Sequence, residues 1–118
     1  MDDCGSDGQG AGRYGERGPG VSGPERDAAR LALAADLEAA AREELIQACD
    51  LGWRALLACT PWGDTFEGFS PQGRAVCFER TYMWEDRPGG DIRVEVTVFE
   101  PQAFEAGVRL VHTLRRED

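Results

Sequence analysis

Three ionisable residues stand where the surrounding pattern is apolar, and they are the first place to look for chemistry. Glu44 lies beside an apolar helical stripe, Arg80 interrupts an aromatic strand, and His112, the only histidine, falls on the apolar parity of the last strand. If the three converge between layers they form a buried acid–base or anion-binding group, because burial and neighbouring charge shift pKa values. Glu44, Arg80 and His112 are therefore the pocket candidates. The competing readings are a structural ion pair, or stems that carry the charges out to solvent.

Other reactive constellations are weaker. A histidine-based triad has no serine or cysteine placed beside His112 by motif, so no catalytic residue is assigned. The glycines cluster in the first residues and in hairpins, and no glycine-rich loop joins a strand to a helix. Asp64 with Glu67, and Glu85 and Asp86 with Asp91, lack the spacing of a calcium loop and read as solvated turns. The cysteines are Cys4, Cys49, Cys59 and Cys77. On one continuous helix Cys49 and Cys59 stand about 15 Å apart, beyond the ~7 Å that a disulfide spans between Cα atoms. Free thiols in a reducing compartment are expected, with a Cys59–Cys77 pair or metal capture with His112 as the alternative. No cofactor and no metal are expected, and the location is expected to be cytoplasmic.

Aromatic residues supply a different kind of site. Trp62 and Phe69 flank the first strand, while Tyr82 and Trp84 lie near the end of the second. Tryptophan and tyrosine beside arginine are the composition of protein-binding hot spots. These four residues are the partner-binding candidates.

The elements that must position these residues follow from periodicity. Pro24 suits a first helical residue, and the alanine-, leucine-, glutamate- and arginine-rich run that follows favours a helix over about 24–59. Leu33, Leu37, Ala41, Leu45, Ala48, Gly52 and Leu56 form one apolar stripe, which Ile46, Cys49, Trp53 and Leu57 widen in the second half. Asp36, Glu43, Gln47, Asp50 and Arg54 are expected on the opposite, solvated face. The stripe faces either a sheet or a second copy of the chain, giving a homodimer seam.

Beyond Pro61 and Gly63 the pattern changes to strands. They are expected over 65–69, Ala75–Trp84, 92–99 and 108–114, with a turn at Ser70-Pro71-Gln72-Gly73 and one helical turn from Glu100 to Gly107. The links are too short for parallel crossovers, so the sheet, about 63–114, is antiparallel. The fold class is α+β: one long N-terminal helix packed on a three- to four-stranded antiparallel meander in two layers. Residues 1–23 hold eight glycines and almost no aliphatic side chains, the composition of a disordered tail. Residues 24–118 form the single domain.

Charge and hydropathy narrow the partners. Twenty-two acidic residues face thirteen arginines and no lysine, for a net charge of -9. That balance disfavours duplex nucleic acid and anionic membranes. No apolar run approaches the ~18 residues of a membrane span, and the acidic, glycine-rich start is unlike a signal peptide. The expected function is a non-enzymatic protein–protein interaction or adaptor module, with the long helix available for self-association. The alternative is a small-molecule-binding or enzymatic domain with a pocket between helix and sheet. Acidic mimicry of nucleic acid is a third reading that rests on net charge alone.

Overall fold

The apolar alternation in the second half of the chain becomes a four-stranded sheet, and the alanine-rich run becomes the helix laid on it. In the computed structural model residues 23–117 are described. The expected tail therefore lies outside the described residues, except for Gly23. Helix α1 spans Gly23–Asp50, α2 spans Trp53–Leu57, and the strands are β1 (Trp62–Phe69), β2 (Ala75–Trp84), β3 (Ile92–Glu100) and β4 (Ala103–Leu114). The chain divides into two units, one ending at Leu33 and the other beginning at Ala34. The described part of the first is the opening of α1, where Arg30 pairs with Asp27 at 2.5 Å. All that follows concerns the second.

The strands are antiparallel in the order β1-β2-β3-β4, an α+β meander in two layers. Register places Phe66, Phe78, Val98 and Val108 in one row, Asp64, Arg80, Val96 and Leu110 in the next, and Trp62, Tyr82, Val94 and His112 in a third. These rows share the helix-side face. Ile92, Val94, Val96 and Val98 are completely buried there, each burial stabilising by about 1.5–3 kcal/mol. Ala48, Trp53 and Leu56 from the helices pack with Tyr82, Ile92 and Val94. Arg93, Glu95, Glu79 and Arg109 take the outer parity, as the alternation predicts.

The helix expected to be continuous over 24–59 is interrupted at Leu51–Gly52. Gly52 adopts φ 89° and ψ 158°, a region essentially closed to residues with a Cβ. Bonds from Leu51 N to Ala48 O and from Gly52 N to Cys49 O close α1, and Leu56 N to Gly52 O (3.1 Å) opens α2. The break redirects Trp53 into the core, where its indole N–H donates to Gly90 O at 2.8 Å. Thr60 then caps α2 through Leu56 O (2.8 Å), and a cis Thr60–Pro61 bond leads into β1.

Two further expectations are corrected. Asp36 is not on a solvated face but is 4 % exposed. The hydroxyl of Ser70 donates to its Oδ2 (2.5 Å), the guanidinium of Arg74 to the same oxygen (2.6 Å), and Gln72 N–H to Oδ1 (3.1 Å). The β1–β2 turn is thus tied to α1 through one carboxylate. The helical turn expected between Glu100 and Gly107 is also absent. Pro101 and Gln102 make a tight turn, and the ladder shifts register between Val98–Val108 and Glu100–Ala103. Residues 104–107 bulge, the Phe104 ring meets Phe99 edge-on at 4.8 Å, and the backbone closes in at Gly107. A Cβ there would stand 2.8 Å from both Phe99 Cβ and Val98 O.

Candidate functional site

Two of the three pocket candidates meet, and the third does not. Arg80, on β2, donates from Nη1 to Glu44 Oε2 of α1 at 3.0 Å. Its Nε and Nη2 grip both oxygens of Asp64 on β1, at 2.9 and 2.7 Å. The guanidinium also lies 5.1 Å from the Trp62 ring centroid and 4.7 Å from that of Phe66, a cation–π arrangement. Hydrogen bonding to Asp64 raises the Arg80 pKa despite burial, with the charges of Asp64 and Glu44 adding to it. The same bond from Arg80 holds the Asp64 carboxyl below its ordinary value.

The charge of this cluster is internally matched. Nε, Nη1 and Nη2 of the guanidinium each donate to a carboxylate oxygen, so two carboxylates already occupy the cation that an anionic ligand would need. His112 sits on exposed β4, two strands away from β2, paired in register with Val94. It lines a cleft of about 190 Å³ with Leu45, Ile46, Cys49 and Asp50. The expected convergence of Glu44, Arg80 and His112 is replaced by a Glu44–Arg80–Asp64 triad, with Asp64 the partner missed. Among the described residues no group of three or more metal-ligating side chains is assembled. Cys49, Cys59 and Cys77 are free thiols. Burial pushes the Cys49 thiol up, assisted by Asp50, and burial does the same to Cys77, assisted by Glu67 and Glu79. Neither Cys49 nor Cys77 is thereby activated as a nucleophile.

The aromatic candidates divide by face. Tyr82 is 4 % exposed; burial raises its phenol pKa, and its ring meets Trp62 at a tilt of 32° with centroids 4.8 Å apart. Trp84 packs half-buried against the core of Ala48, Trp53 and Ile92. Trp62 is split between that ring contact, the Arg80 guanidinium and solvent. Phe69 alone among the four stands clear, at 74 % exposed.

Phe69 belongs to a surface that single-strand parity did not reveal. It pairs with Ala75, and one step along the outer face Cys77 pairs with Phe99. Phe104 covers Phe99 and is itself 51 % exposed. The β1–β2 and β3–β4 turns lie at this same end of the sheet. Between them is a cleft of about 310 Å³ lined by Glu67, Gly68, Phe69, Ala75, Val76 and Pro101. The carboxylate of Glu67 is part of its lining. The signal that could have found Phe104 was the bulge: an aromatic beside Pro101 with a glycine three residues on.

Compared with known proteins, the chain matches no family model, no curated protein and no solved structure. The functional reading therefore rests on this geometry.

Proposed function

We propose that the chain is a non-enzymatic protein-binding module whose contact surface is the turn end of the outer sheet face. The observation that carries this reading is the exposed ring of Phe69 in the wall of an apolar cleft that also holds Glu67, with the exposed Phe104 at the same end of the sheet. Large apolar side chains left in water cost free energy that a partner recovers by covering them. Glu67 in the cleft lining, together with the net charge of -9, favours a partner segment that carries an apolar anchor flanked by arginine or lysine. The pocket alternative loses support because Arg80 is already paired with Glu44 and Asp64 and His112 lies elsewhere. The helix stripe loses support as a dimer seam because Leu37, Ala41 and Ala48 are already buried within the chain.

A displayed peptide library selected on the full chain tests the proposal. Enriched peptides should combine an aromatic or aliphatic anchor with basic flanks. They should lose at least tenfold in affinity on Phe69→Glu, while the melting temperature stays within a degree or two. Enrichment of acidic peptides, or binding indifferent to Phe69→Glu, would overturn it.

A further inference from the structure

The second edge of the sheet carries an independent inference. Strand β4 is terminal in the order β1-β2-β3-β4, so among the described residues no strand lies beyond it. Sheet edges of natural proteins are usually blunted by charge, proline or irregularity. Edge strand β1 follows that rule, with Asp64, Glu67 and two glycines along its length. The part of β4 in regular register with β3, residues 108–114, does not. It reads Val-Arg-Leu-Val-His-Thr-Leu, with Arg109 its only full charge, and Val111 on its outer face is 48 % exposed.

We propose that two copies of this chain associate through β4, forming an antiparallel β4–β4 ladder whose twofold axis passes at Val111. Parity makes the register selective. Side chains opposite each other in antiparallel strands share a face, so a symmetric ladder is centred on a residue and never between two. A centre at Arg109 sets two arginines against each other, and a centre at His112 sets Arg109 against Arg115. A centre at Leu110 sets the Arg109 guanidinium against the Val111 side chain.

The centre at Val111 has none of these conflicts. It spans the whole regular stretch, pairing Val111 with itself, Leu110 with His112, and Val108 with Leu114. Arg109 then faces Thr113 of the second copy, whose hydroxyl donates to Glu85 at 3.2 Å. Within one chain Arg109 donates to Thr97 Oγ1 (3.2 Å) and has no carboxylate partner among the described residues. The twofold ladder brings a carboxylate close to it, twice by symmetry.

The helix side agrees. Ile46 of α1 is 53 % exposed and lines the cleft with His112, one residue from the axis. In the ladder the two Ile46 side chains cover the helix-side face of the join, where a single copy leaves them in water. This interface uses neither Phe69 nor the 310 Å³ cleft, so it stands or falls apart from the peptide-binding reading.

Sedimentation equilibrium of the full chain across a micromolar concentration series is the test. The wild type should approach twice the monomer mass. Val111→Lys, which sets like charges on the axis at an exposed position, should remain monomeric at every concentration and melt where the wild type melts when diluted to monomer. In a Cys59→Ser background, Val111→Cys should form an oxidation-dependent covalent dimer, since opposed residues sit ~4.5–5.5 Å apart between Cα atoms. A wild type that stays monomeric, a Val111→Lys variant that still dimerises, or a Val111→Cys variant that fails to cross-link would each overturn the proposal.

Discussion

At the residue scale, two carboxylates do more to hold the layers together than their type suggests. Burial pushes the Asp36 carboxyl up, but hydrogen bonds from Ser70, Arg74 and Gln72 outweigh it and leave the pKa lowered. Asp36→Ala would strand a buried hydroxyl, a backbone N–H and a guanidinium together. A loss of about 2–4 kcal/mol is expected in urea denaturation. The pH dependence follows from the same sign. Folded-state pKa values of Asp36 and Asp64 lie below the unfolded value of about 3.9. Their contribution is complete above that value and disappears as pH falls through the lower folded values. Asp36→Asn should therefore flatten the acid limb of a stability–pH curve, and an unchanged limb would count against this role. The Asp36 position shows why such residues were hard to read. Helical periodicity placed it opposite the apolar stripe, and nothing in its own neighbourhood announces the hairpin, more than thirty residues on, that it binds. Arg80 and Glu44 were legible as misfits in apolar patterns. Asp64 was not, because β1 begins at Trp62 and only that start puts Asp64 on the inner parity.

At the element scale, the strands were the most legible part, since Ile92, Val94, Val96 and Val98 repeat with period two and all four are buried. The breaks between elements were less so. Gly52 falls within the expected apolar stripe, yet a Cβ there would meet nothing within 4 Å. Its role is conformational, and Gly52→Ala should cost about 1–3 kcal/mol through backbone strain alone. At Gly107 the reasoning inverts. Crowding against Phe99 and Val98 makes Gly107→Ala an overpacking change of about 1–3 kcal/mol. A thermal melt in which that variant matches the wild type would show that the bulge relaxes freely. The helical turn expected at 100–107 failed for a related reason. Proline followed by glycine fits the ends of a helix, but here the pair brackets a turn and a bulge whose driving contact, Phe104 on Phe99, is tertiary.

At the scale of the whole molecule, the interior is committed and the chemistry faces outward. Valine and isoleucine fill the helix-side face, the Glu44–Arg80–Asp64 triad satisfies itself, and Asp36 is engaged by the hairpin. What stays open is the aromatic end of the outer face at Phe69 and Phe104. The two-layer fold was readable from one sequence because hydrophobic period reports burial directly. The surface was not, because Phe69, Cys77, Phe99 and Phe104 come from different strands and are joined only by register. The most direct test is a binding titration of a selected basic–apolar peptide against the full chain and two variants, Phe69→Glu and Glu44→Gln. The second removes one charge from the interlayer triad and, being partly exposed, should cost no more than about 1 kcal/mol of stability. The account predicts that Phe69→Glu abolishes binding and Glu44→Gln leaves it intact. Loss on Glu44→Gln with full affinity in Phe69→Glu would contradict it and place the site between the layers.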